Sequence, residues 1–72
     1  MVEVKIPAGS RVIGRRVKEI NLPPDSLLSL VISNRLGPLV PNGETILEAE
    51  DEVVAVTRVD QEIALRKALT GS

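Results

Sequence analysis

Cysteine, histidine, phenylalanine, tyrosine and tryptophan are all missing from this chain. Without the first two there are no disulfide staples, no thiolate nucleophile and no imidazole or thiolate ligand for a metal. Catalysis would have to use Ser, Thr or Lys as nucleophile, or paired carboxylates as acid and base. The hydroxyl residues are scattered, and none sits in a nucleophile-elbow or SxxK pattern. The sequence therefore points away from an enzyme. The missing rings take away both the large buried area of an aromatic core and the stacking platform on which single-stranded nucleic acid is usually held. No apolar run approaches the ~20 residues that cross a bilayer. The N-terminus has no signal-peptide pattern, so a cytoplasmic domain that does not itself insert into the membrane is expected. Neither sign of charge dominates: nine basic and ten acidic residues leave a formal net charge of -1, which gives no overall attraction to nucleic acid or an anionic surface.

What is present is aliphatic. Hydrophobic residues make up 43% of 72 residues, one domain's worth, and a chain this short buries only roughly 60% of the surface its unfolded form exposes. With a marginal core and no covalent or metal staple, association is the remaining device. The expectation is a chain that completes its core against a second copy or another domain.

The opening VEVKIP alternates, with Val2, Val4 and Ile6 on one face and Glu3 and Lys5 on the other, which predicts a half-buried strand ended by Pro7. Gly14 precedes RRVKEI, where Val17 and Ile20 can share one face of a short helix, stopped by Asn21 and Pro23-Pro24. Leu27 to Ile32 is aliphatic except for Ser29 and reads as a central strand buried on both faces. PLVP suits a sheet edge, NG marks a turn, and TIL is a candidate for a brief further strand. Val53 to Thr57 is a second doubly buried candidate. Asp60 is placed to cap a last helix in which Leu65 and Leu69 share a stripe and which Gly71 ends. The order predicts an α+β domain: a small mixed or antiparallel sheet of four to five strands with two helices.

Two charge clusters stand out. Glu48, Glu50, Asp51 and Glu52 could in principle hold a hard cation, but their spacing does not match a D-x-D-x-D-G loop and no glycine supplies the bend. A solvated turn that keeps the next aliphatic strand from pairing wrongly accounts for them, with Asp51 able to accept backbone N–H bonds. Arg11, Arg15, Arg16 and Lys18 surround Gly14 ahead of a helix start, an arrangement that suits either a phosphate cradle or a solvated face.

Taken together, Ser10 with Gly14 ahead of a short helix, the Leu22-Pro23 pair, the hydrophobic strand, Pro41 before a polar turn, and Leu47-x-x-x-Asp51 before the last strand resemble the C-terminal domain of TrkA and KtrA type proteins, the regulator-of-potassium-conductance (RCK) C-terminal domain. The resemblance runs from about Val2 to Leu69. It departs from the family at two points. Glu50 stands where a glycine usually precedes the signature Asp, so a position needing φ > 0 would be strained; and Ser33 and Asn34 stand where an arginine commonly follows the central strand, with Arg35 only later. The resemblance implies that residues 1–72 are a single regulatory module excised from a larger chain. That module would pair with itself and work beside a Rossmann-type nucleotide-binding domain and a potassium channel or transporter membrane subunit, to which it would be peripheral. It would need no cofactor, though cyclic di-AMP or another small effector would be bound in some members. It also implies Leu28, Ser29, Asn34, Arg35 and Leu36 as ligand-binding residues near a groove between two subunits, and Gly14, Pro41 and Asp51 as structural turn residues. A ligand-free dimerisation module of an ion transporter is the alternative.

Overall fold

In the computed structural model, which describes residues 1–71, the alternating opening forms β1 (Val2–Lys5), with Val2 and Val4 buried and Glu3 and Lys5 exposed. A long loop containing a three-residue 3-10 turn at Val17–Glu19 leads to β2 (Leu27–Ser33). Gly37, at φ 83°, opens β3 (Gly37–Leu39). After the 40–51 loop comes β4 (Glu52–Val56). A second 3-10 turn, Val59–Gln61, runs into the helix α1 (Glu62–Thr70). The four strands form one antiparallel sheet in the order β1-β4-β2-β3.

Register determines which side chains share a face. Val2 pairs with Ala55 and Val4 with Val53; on the other side of β4, Leu28 pairs with Ala55 and Val31 with Val53. These residues form the inner face, and α1 closes it with Leu65 and Leu69 while Ile6, Val12 and Leu47 come from the loops. A fully buried aliphatic side chain contributes about 1.5–3 kcal/mol, so these few positions carry the fold. Ser29 is the extra residue of a β-bulge between Leu28 and Leu30. It resets the alternation so that Leu28 and Val31, an odd number of residues apart, both point inward.

The sheet agrees with the expected α+β fold: of the alternatives mixed or antiparallel and four to five strands, the described residues form an antiparallel sheet of four. Other expectations are corrected. TIL contributes only an isolated bridge, Ile46 to Arg16. The helix predicted over RRVKEI is a 3-10 turn, so the described residues contain one α-helix rather than two, because Val17 and Ile20 reach the core edge within a single tight turn and the prolines allow no more. Asp60 does not cap α1: it lies inside the 3-10 turn, and the residue at the N-cap is Gln61, whose side chain makes no capping bond. Most important, β2 and β4 occupy the centre of the sheet but are not buried on both faces. Leu27 is 65% exposed, Val56 49% and Ile32 37%. These side chains, with half-buried Leu30 and Val54, form the outer face, which no described element covers.

Candidate functional site

The residues between β2 and β3 form a tightly bracketed hairpin. The Ser33 hydroxyl oxygen accepts the N–H groups of Arg35 (3.2 Å) and Leu36 (3.0 Å). Just before them, the Asn34 N–H donates to Asp51 Oδ1 at 3.0 Å. The other carboxylate oxygen, Oδ2, accepts the Glu48 N–H at 3.0 Å. Asp51 is thus buried, at 2% exposure, and ties the hairpin to the loop that precedes β4. That loop needs a reversal at Glu50, which sits at φ 71°, the left-handed region where a glycine would be unstrained. Its N–H donates to the Ile6 carbonyl at 2.8 Å, which holds it there.

Between the hairpin and the loop lies a groove of about 830 Å³. Ile13, Val31 and Leu39 make its floor, exposed Leu36 and Ile46 its lips, and Arg35, Glu44 and Glu48 its rim. The far wall is pinned. The Gly14 N–H donates to the Leu47 carbonyl (2.8 Å) and the Val17 N–H to the Thr45 carbonyl (2.8 Å), while the Thr45 and Asn42 side chains close the Asn42–Thr45 turn. Gly14 is at φ 81°, so its turn needs a residue free of Cβ strain. Across the mouth, Arg35 meets Glu48 at 3.0 Å, both side chains largely exposed. A pair this wet is worth under about 1 kcal/mol, so opening it costs little. The Ser33 hydroxyl is committed to the turn. The groove thus combines an apolar floor with a charged rim.

Within one chain the residues expected to bind ligand do not share a single cavity. Arg35 and Leu36 line this groove together with Gly14 and Asp51, and Asn34 lies beside them in the hairpin. Leu28 stands at the other end of β2, about 16 Å away at strand rise. There it lines a separate cavity of about 200 Å³ with Leu22, Ser26, Leu27, Pro41 and Asn42. Ser29, in the bulge, donates its hydroxyl to the Val54 carbonyl at 3.1 Å. Residues not singled out from sequence include Ser33, Leu39 and Ile46. Ser33 was findable, because a serine two and three residues before a hairpin's N–H groups is a turn signature. The acidic cluster splays apart: Glu48 goes to Arg35, Glu50 to Lys5 at 3.1 Å, Asp51 inward, and Glu52 to the exposed side of β4. Among the described residues no three carboxylates come together in a metal-holding group, and no helix is long and apolar enough to cross a membrane.

Comparison with known proteins gives a consistent result. A family model described as the TrkA-C domain matches residues 1–70. A Trk system potassium uptake protein TrkA homolog of Pyrococcus horikoshii is 33% identical over 54 residues, covering 75% of this chain and 24% of that protein. Its counterpart in Pyrococcus abyssi is 28% identical over the same length, with the same coverage. The chain therefore spans about a quarter of the length of these relatives. A solved structure titled "Structure of RCK domain with cda" superposes with a TM-score of 0.81 over 94% of both chains at 18% identity, which is a likeness of fold.

Proposed function

The chain belongs to the TrkA-C domain family, and from that premise we propose that it is a non-catalytic regulatory domain of a potassium transport system, acting as a pair of copies that reads a small effector. The observation that carries this reading is the open outer face of the sheet. Leu27, Leu30, Ile32, Val54 and Val56 make an apolar surface on the two central strands. In a chain of aliphatic residues with no other staple, covering it is the largest stabilisation still available. A second copy laid on the first supplies matching chemistry, and a two-fold axis lets the same patch serve both partners. Residues 1–72 then work as one module of a longer protein at the cytoplasmic side of the membrane, next to a nucleotide-binding domain. The relatives' description as potassium uptake proteins supports that context.

Regulation follows if an effector favours one relative orientation of the two copies and the attached machinery responds to that orientation. The grooves at either end of β2 offer apolar floors with polar rims for such a ligand, and the "cda" of the structural neighbour's title makes cyclic di-AMP the first compound to try. The test has two parts. Sedimentation should give a dimer for the parent chain and a folded monomer for Leu30→Glu. Thermal unfolding should then show stabilisation by cyclic di-AMP, ATP or NAD. A parent that stays monomeric up to millimolar concentration rules out the pairing. A dimer that none of these compounds stabilises favours a purely structural dimerisation module.

A further inference from the structure

The Asn42–Thr45 turn fastens more of the chain than its own residues. The Thr45 N–H donates to the Asn42 carbonyl at 3.1 Å, the Asn42 N–H to Thr45 Oγ1 at 2.9 Å and the Glu44 N–H to Asn42 Oδ1 at 2.8 Å. The loop before β2 hangs on it: the Lys18 N–H donates to the Gly43 carbonyl at 3.0 Å and the Val17 N–H to the Thr45 carbonyl at 2.8 Å. Arg16 and Lys18 also pair with Glu44, Arg16 at 3.5 Å, so these two members of the basic cluster brace the turn and do not cradle a phosphate. Glu44, Thr45 and Ile46 belong to the wall of the large groove, and Asn42 and Gly43 to that of the small cavity at Leu28. A change in the backbone at residue 42 reaches both.

Asn42 is also well placed to change. An asparagine amide carbon lies one five-membered ring away from the nitrogen of the following residue. Glycine leaves that nitrogen unhindered and its backbone free to turn, and the Gly43 N–H donates to no acceptor among the described residues. The Glu44 N–H on Oδ1 draws electron density from Cγ, as a donor at a developing oxyanion does. Asn42 and Gly43 are both exposed, so water reaches the amide. Asn21 and Asn34 are exposed too, but Leu22 and Arg35 follow them, and a side chain there crowds the attacking nitrogen. Against the attack stand the turn's own bonds, which hold the Asn42 backbone and must open before the ring closes.

We propose that Asn42 is a site of spontaneous deamidation through Gly43, at a rate set by opening of the turn, and that the isoaspartate formed there unfastens the wall shared by the groove and the small cavity. The Gly43 nitrogen bonds to Cγ, the Cγ–Nδ2 bond breaks, and the Gly43 proton departs with Nδ2 as ammonia, leaving a succinimide. One water then opens the ring. Cleavage at Cγ gives aspartate, whose Oδ1 still accepts the Glu44 N–H. Cleavage at the main-chain carbonyl gives isoaspartate, in which the chain runs through Cγ and is one methylene longer. The bond from Thr45 N–H then loses its register, and with it the Val17 and Lys18 N–H groups lose theirs.

The 72-residue chain is aged at mildly alkaline pH and mapped by mass spectrometry, with protein isoaspartyl methyltransferase as the probe for the product. Isoaspartate is expected to accumulate at residue 42, well ahead of Asn21 and Asn34. Gly43→Ala, whose Cβ would meet Lys18 only at ordinary contact distance, should slow it about tenfold. Thr45→Ala removes the acceptor of the Asn42 N–H and should speed it about threefold. Amide exchange at Val17 and Lys18 should be faster in the isoaspartyl protein and unchanged in Asn42→Asp. Conversion at Asn21 or Asn34 as fast as at Asn42, or a Gly43→Ala protein that ages at the parent rate, overturns the site. A Thr45→Ala protein that ages no faster overturns the control by the turn, and unaltered exchange at Val17 and Lys18 in the isoaspartyl protein overturns the effect on the wall.

Discussion

Replacing Asp51 tests how this small fold closes. Its two carboxylate oxygens accept one backbone N–H each, from Asn34 and Glu48, both at 3.0 Å, and the side chain is almost fully enclosed. A hydrogen bond to a charged partner is worth about 1.5–3 kcal/mol, and a donor left unpaired costs its desolvation. Both N–H groups are only partly buried, so the low end applies. Asp51→Ala should therefore cost about 3 kcal/mol and Asp51→Asn about 1–2, because the amide keeps one acceptor and turns its NH2 against the other donor. A domain of this size has about 4–11 kcal/mol in total at 0.05–0.15 per residue, so the alanine variant loses a large fraction. Without tryptophan or tyrosine there is no intrinsic fluorescence to follow, so urea unfolding should be monitored by far-UV circular dichroism. Parent and variants must be compared at one protein concentration, because self-association would shift the midpoints. The expected result is a lower midpoint with an unchanged slope. An alanine variant within about 0.5 kcal/mol of the parent would mean that water satisfies both donors and that the hairpin and the loop are held by something other than this carboxylate.

Two further expectations follow from local geometry. Glu50 at φ 71° bears a left-handed strain of about 1–2 kcal/mol, which Glu50→Gly relieves while raising unfolded-state entropy by about 0.4–1 kcal/mol and losing an exposed ion pair. That variant should melt close to the parent, whereas Glu50→Val should melt clearly lower; equal melting of the two would show that the turn relaxes. Ser10→Ala removes the buried bond to Leu69 and should cost about 1 kcal/mol, with amide exchange accelerated in the last turn of α1; unchanged exchange there would count against the clamp.

The strand at Val2–Lys5 could be read from its alternation, and α1 from Leu65 and Leu69 four apart, because each carries its burial pattern in consecutive residues. The role of Asp51 was half legible. An Asp in a turn announces backbone acceptance, and Glu48 lies only three residues back, but the Asn34 N–H comes from 17 residues away and no local signal connects them. The same limit applies to the cavity beside Lys67, whose opposite wall, Arg11 to Asn21, lies more than 40 residues earlier in sequence. The binding set came from the resemblance, which implied a groove between two subunits; within one chain, β2 holds Leu28 and Leu36 apart at separate cavities.

The two central strands carry the more general lesson. Leu27–Ile32 and Val53–Val56 are aliphatic at nearly every position, the pattern of strands covered on both sides. The pattern records what must be buried without recording by whom. Here length decides. One helix of nine residues is about 14 Å long, and four strands span about 14 Å across, so α1 with the loops can close one face and no more. The other predicted helix is a three-residue 3-10 turn, and no described helix lies on the other side. The aliphatic outer face of the interior strands is the surface that the proposed pairing would cover, since solvent-facing positions on a sheet open to water are free to be polar. Glu3, Lys5 and Glu52, at one corner of that same face, show that the chain does place charge where the sheet is meant to stay wet.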